Sequence, residues 1–205
     1  VNDDAKKAAR IVSQKRVFKR YHALDIIEAE PRSLRHDGYT VKMEREIFRM
    51  RSAVVILLYN PHTDEILLNQ QFRLGAFMSG AKDPVMLECA AGMIDEGEAP
   101  EQTARREALE ETGCEVGALE FVGVFYPSPS CVDETLYLYA GCIEKAEAGF
   151  YGLEEEGEEI KTYLMPSAEV IALLDANTIT NGPTAILLHW FARHRDRLRR
   201  EWTKK

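Results

Sequence analysis

The sequence predicts an α/β fold with a small antiparallel β-sheet at its N-terminal end, and three observations predict it. Runs of β-forming residues alternate with helix formers through most of the 205 residues. The unbroken apolar run Ala53 to Tyr59 is consistent with a central strand. Ahead of it, Val17 to Glu30 and Tyr39 to Met50 are rich in β-formers, and the turn-prone Pro31 to Gly38 separates them.

Taken in order, Asp4 to Gln14 reads as a short helical lead, and the two β-rich stretches make the N-terminal sheet, residues 1–50. Residues 51–205 form the larger domain. Its central strand runs into the turn Asn60 to Asp64 and returns as Glu65 to Phe72. Ala76 to Pro84 reads as loop, and Val85 to Ala90 as a short strand delivering Gly92. Thr103 to Thr112 carries Ala, Arg, Leu and Glu and reads as helix. Pro100 suits its first turn, and Gly113 is placed to end it in a left-handed conformation. Strands follow at Leu119 to Phe125 and Thr135 to Cys142, then a Gly- and Glu-rich loop, Ala146 to Glu159. Ile160 to Met165 is a last strand, Ser167 a helix cap for Ala168 to Leu174, and Thr184 to Trp202 an amphipathic helix with a basic end.

Composition narrows the function. Hydrophobic residues make up 45% of the chain, enough for a core, and the net charge of -8 argues against a general binder of nucleic acid or anionic membrane. Cys89, Cys114, Cys131 and Cys142 show neither CxxC nor zinc spacing and read as reduced thiols of a cytoplasmic protein. No run approaches transmembrane length and no signal-peptide pattern opens the chain.

The most informative stretch is Gly92 to Cys114, GMIDEGEAPEQTARREALEETGC. Five residues separate Gly92 from Glu98, seven separate Glu98 from Arg106, and Arg-Glu-Ala-Leu-Glu-Glu-Thr-Gly-Cys completes it. On a helix, Glu107 lies three and four residues before Glu110 and Glu111, so the three carboxylates share one side. Three clustered carboxylates repel one another, and hard oxygen ligands on one face suit Mg²⁺ or Mn²⁺. Ala104, Ala108 and Leu109 are placed to pack inward, and Arg106 can reach Glu110 or fold back to Glu98.

This spacing fills each fixed position of the Nudix box, with Ala108 and Cys114 smaller than the usual aliphatic residues, so the chain resembles the Nudix hydrolases. The resemblance implies an α/β/α sandwich with a mixed sheet and metal-dependent hydrolysis of a nucleoside diphosphate linked to a second group. A proline sixteen residues after the box glycine, here Pro129 within Tyr126-Pro127-Ser128-Pro129-Ser130, resembles the ADP-ribose pyrophosphatases of that family. So do Arg45-Glu46-Ile47-Phe48, Gln70-Gln71-Phe72-Arg73, and Gly152-Leu153 before an acidic loop. The resemblance spans roughly residues 40–190. It implies a homodimer through the N-terminal sheet, with pocket residues from both subunits.

The resemblance also implies roles. Glu107, Glu111, Glu158 and the carbonyl of Ala91 fall on metal ligands. Glu156 falls on the catalytic base, with Glu155 and Glu159 as alternatives in so repetitive a stretch. Glu98 and Arg106 fix the loop, and Glu110 tunes the metals or holds a water. Arg73 fits a phosphate ligand, its bland alternative being a surface strand-end arginine; Arg45 and Arg51 stand in the same position. Glu134 matches a residue near the terminal ribose or adenine, or is a solvated turn carboxylate. Where related chains carry Ser-Pro-Gly-Gly, this one has Ser128-Pro129-Ser130-Cys131, which narrows that loop's backbone options. The expected reaction is ADP-ribose plus water giving AMP and ribose 5-phosphate. A nucleotide-sugar pyrophosphatase acting on GDP-mannose or ADP-glucose is the alternative, and a retired ligand-binding domain is the non-enzymatic one.

Overall fold

The computed structural model describes residues 7–152 and 157–204. They divide into two compact units, one running to Arg51 and including Tyr126–Glu134, the other comprising Ser52–Phe125 and the chain from Thr135 onward.

The first unit is a three-stranded antiparallel sheet in the order β1 (Ala9–Lys19), β2 (Ala23–Pro31), β3 (Met43–Arg49). The helical lead expected from Asp4 to Gln14 is corrected from Ala9 onward: these residues are strand. The β-branched Ile11 and Val12 disfavour helix, and Ala9 to Gln14 pair with Pro31 back to Ile27. Ile11, Val12, Val17 and Phe18 of β1 are exposed. Segment 126–134 is pinned to β3. The Phe48 N–H donates to the Cys131 carbonyl at 2.8 Å, and the Met50 N–H donates to Asp133 Oδ1 at 2.8 Å.

The second unit holds an eight-stranded mixed sheet. Its main path is β10 (Phe150–Tyr151), β11 (Ile160–Pro166), β5 (Glu65–Phe72), β4 (Ala53–Asn60), β9 (Leu136–Cys142), β8 (Leu119–Phe125). β6 (Val85–Glu88) pairs with β5 and β7 (Ala90–Met93) with β4. Only β4 and β9 run parallel among the described pairs. Every β4 residue is buried, which explains its unbroken apolar run. Val54, Ile56 and Leu58 pack with Ala104 and Ala108 of helix α2 (Pro100–Thr112). Val55, Leu57 and Tyr59 pack against α3 (Ser167–Asp175) and α4 (Gly182–Trp202) through Val170, Leu187 and Phe191. The expected α/β/α layering follows from that alternation.

Local departures have local causes. The expected loop from Ala76 is preceded and entered by a short helix, α1 (Leu74–Met78), where Phe77 packs on Phe72 with ring centroids 6.0 Å apart. The expected strand Val85 to Ala90 breaks at Cys89, whose N–H donates to Thr184 Oγ1 at 2.9 Å, so the chain leaves β5 and joins β4. Ser167 does not cap α3; its hydroxyl donates to Asp64 Oδ1 at 2.9 Å, and Pro166 stands at the cap. Leu109 is 52% exposed and does not pack inward.

Candidate active site

Helix α2 starts at Pro100, held by the Ala99 N–H donating to Gln102 Oε1 at 2.9 Å, and ends at Gly113 with φ 67°. The buried Ala108 and Cys114 act as core residues at the two box positions that usually carry larger side chains. Arg106 ties the preceding loop to the helix. It donates to both oxygens of Glu98 at 3.1 and 3.0 Å, to Glu107 Oε1 at 2.7 Å, to Glu110 Oε2 at 2.9 Å and to the Met93 carbonyl at 3.3 Å. The guanidinium holds the Glu98 carboxyl down at about 2. Glu110 is exposed, hydrogen-bonded to Arg106, and its charge adds to the raising of Glu107, whereas Glu107 and Glu111 are buried.

Glu107 lies against β7. A Cβ on Gly92 would fall 1.9 Å from its carboxyl carbon, so any other residue there would displace the carboxylate. Glu111 Oε2 accepts from the Ala91 N–H at 3.0 Å and from Asn69 Nδ2 at 2.8 Å. Burial, reinforced by the neighbouring Glu107 and Glu158 carboxylates, pushes the Glu111 carboxyl up to about 8, although the Ala91 hydrogen bond and Arg73 oppose this. Burial also raises Glu107, with Arg106 opposing. Glu158 Oε1 accepts from Gln71 Nε2 at 3.4 Å. Gly152, at φ 103°, turns the chain where a Cβ would sit 2.8 Å from the Glu158 carbonyl oxygen. Glu156 and Glu155 lie outside the described residues, and Glu159 is exposed.

Arg73 is already engaged. Its guanidinium donates to the buried Glu88 at 2.8, 3.1 and 2.9 Å, and Asn181 Nδ2 reaches the same carboxylate at 3.1 Å. Four further expected residues belong to the first unit. Arg45 is exposed and donates to the Glu44 carbonyl at 2.7 Å, while Arg51 and Pro129 are exposed. Glu134 is half-buried, and burial followed by the Asp133 charge raises its carboxyl.

The sequence expectations left out Asn69, Glu88 and Asn181, and included Gln71 only within the run Gln70 to Arg73. A signal was present: Asn69 and Gln71 stand on the same face of β5 as the buried Leu67.

The donor set suits a hard divalent cation. Glu107 and Glu111 are desolvated carboxylates, and burial raises both carboxyls with protein cations opposing only in part. Among the described residues no three His, Cys, Asp or Glu side chains form a ready-made metal cluster.

A family model described as NUDIX domain matches residues 49–187. The chain is similar to the ADP-ribose pyrophosphatase of Escherichia coli, 31% identical over 198 residues that cover 96% of this chain and 94% of the relative. It is also similar to the ADP-ribose pyrophosphatase of Haemophilus influenzae, 32% identical over 170 residues covering 82% and 78%. The GDP-mannose pyrophosphatase of Cronobacter sakazakii is 34% identical over 154 residues, covering 75% and 80%. A complete box whose glycine admits a buried glutamate, on a mixed sheet between helical layers, agrees with this near full-length similarity: the chain belongs to the Nudix hydrolase family.

Proposed function

We propose that the chain hydrolyses the pyrophosphate bond of ADP-ribose to AMP and ribose 5-phosphate, with Mg²⁺ as its metal and Mn²⁺ as a substitute. The observation that carries this is the buried pair Glu107, against the Gly92 backbone, and Glu111, held by the Ala91 N–H, with protein cations opposing their raised carboxyls only in part. The substrate assignment draws on the ADP-ribose pyrophosphatases that match over nearly the whole chain.

Glu107, Glu111, Glu158 and the Ala91 carbonyl would hold the metal. When bound, it would neutralise diphosphate charge and lower the pKa of water. Glu156 takes the proton of the attacking water as its oxygen bonds to one phosphorus and the bridging P–O bond breaks. Glu98 and Arg106 keep the Gly92 loop against the helix, and Glu110 acts on the cluster through Arg106. Arg73 in the second unit, and Arg45, Arg51, Pro129 and Glu134 in the first, are proposed as substrate-binding residues. Engaged with Glu88, Arg73 presents a guanidinium of fixed orientation.

Residues 1–50 serve as a dimerisation sheet and 51–205 as the hydrolase domain. The exposed Ile11, Val12, Val17 and Phe18 on β1 supply apolar surface for a second copy. The partner chemistry is a small nucleoside diphosphate rather than nucleic acid or membrane, and four free cysteines suit a reducing, cytoplasmic setting.

A second reading, hydrolysis of a nucleotide sugar such as GDP-mannose or ADP-glucose, is favoured by the similarity to the GDP-mannose pyrophosphatase. Ser130-Cys131, in the loop after Pro129, leaves this reading open. The test is phosphate release with Mg²⁺ and a coupling phosphatase across ADP-ribose, GDP-mannose, ADP-glucose, NADH and diadenosine compounds. Preference for ADP-ribose is the expected result. Preference for a nucleotide sugar moves the specificity, and no turnover with either Mg²⁺ or Mn²⁺ overturns the enzymatic reading.

A further inference from the structure

Leu67, Asn69 and Gln71 share one face of β5. Leu67 packs into the apolar cluster beneath α2, as that face should. Asn69 and Gln71, also buried, instead present carboxamides to the acidic cluster: Asn69 Nδ2 to Glu111 at 2.8 Å, Gln71 Nε2 to Glu158 at 3.4 Å.

Asn69 is a poor choice for stability. It is 3% exposed, and its Oδ1 is buried with no protein donor among the described residues. A buried carboxamide with its oxygen unmatched costs stability, and leucine has the same branched shape, though larger, without that cost. What asparagine supplies is a donor in a defined place. Its Nδ2 and the Ala91 N–H both bind Glu111 Oε2, so the carboxylate is held from two elements, β5 and β7. Among the described residues no hydrogen bond reaches Oε1. Turning the amide over would set Oδ1 against the carboxylate, so the orphaned oxygen is the consequence of aiming the NH₂ group at Glu111.

We propose that Asn69 is a positioning residue, which orients the Glu111 carboxylate so that Oε1 is presented to a divalent cation. This rests on the reading above that Glu111 is a metal ligand. The Gln71 contact to Glu158 repeats the arrangement one step along the strand at a longer distance.

The test is Mn²⁺ binding to the full chain, followed by electron paramagnetic resonance of the free ion, for the wild type, Asn69→Leu and Glu111→Gln. Turnover of ADP-ribose is measured alongside as a function of Mg²⁺. Asn69→Leu is expected to weaken Mn²⁺ binding about tenfold to a hundredfold. The Mg²⁺ concentration for half-maximal turnover should rise in step, with KM for ADP-ribose unchanged at saturating Mg²⁺. Asn69→Ala gives the same comparison should the leucine variant not fold. Wild-type Mn²⁺ affinity in the folded Asn69 variants, with binding lost in Glu111→Gln, overturns the positioning role and leaves the metal reading standing. Wild-type affinity in Glu111→Gln overturns both.

Discussion

Asp25 in the first unit and Glu111 in the second are both buried carboxylates, and their surroundings treat them in opposite ways. Asp25 accepts from Arg16 at 2.7 Å and from Gln14 at 2.7 Å, and Arg49 lies 3.9 Å away. The Arg16 hydrogen bond leads the effects that hold its carboxyl down at about 2. Glu111 has two neutral donors and two carboxylate neighbours, and burial pushes its carboxyl up to about 8. A buried charge matched by arginine is part of the scaffold. A buried carboxylate that the protein leaves partly unmatched has room for another partner, and a cation is the partner proposed above. The apolar residues differ in parallel. All of β4 is covered on both faces by its own unit, while β1 exposes Ile11, Val12, Val17 and Phe18.

The contrast can be broken by substitutions with graded effects. Gly92→Ala should be the most damaging to activity, because its Cβ would sit 1.9 Å from the Glu107 carboxyl carbon. Turnover of ADP-ribose should fall about a hundredfold or more, and a rate near wild type would remove Glu107 from the mechanism. Phe191→Ala, in the core beneath β4, should cost about 3–5 kcal/mol in urea unfolding. A loss under about 1 kcal/mol would mean that this layer does not carry the second unit. Asp25→Asn should lower Tm while leaving kcat unchanged below the transition, since it loosens Arg16 and its hydrogen-bond partners Gln14 and Arg16 lie in its own unit. Lost kcat with unchanged Tm would reverse its assignment.

The pH dependence of stability separates the two carboxylates directly. With its carboxyl raised from 4.5 to about 8 on folding, Glu111 contributes stability that is full below pH 4.5 and is lost as pH rises through 8. Asp25, lowered from 3.8 to about 2, contributes stability present above 3.8 and lost as pH falls through 2. In chelator, Tm should therefore decline between about pH 5 and pH 8, and Glu111→Gln should flatten that decline while Asp25→Asn flattens the acid limb. An unchanged alkaline slope in Glu111→Gln would place the titrating group elsewhere.

Much of the second unit was legible because its signals are local. Ala53 to Tyr59 is apolar without interruption because β4 is covered on both faces, and Gly113 ends the helix at the residue its spacing marks. The clustered box carboxylates were legible too, but not their division into buried Glu107 and Glu111 and exposed Glu110, which depends on how α2 meets the sheet. What sequence missed depends on distant partners. Cys89 breaks a strand because Thr184 takes its N–H, and Ser167 is drawn from a cap to Asp64. Asn69 acquires its meaning only from Glu111, on another element. The N-terminal lead was misread because short-range helix formers there compete with a strand partner that only the hairpin supplies.

The most direct test of the account is ADP-ribose turnover in Mg²⁺ by Glu111→Gln, with Asp25→Asn as the buried-carboxylate control and Tm recorded for both. The Glu111 variant is expected to lose orders of magnitude in kcat while its Tm at neutral pH does not fall. Near wild-type turnover by a folded Glu111→Gln would contradict it.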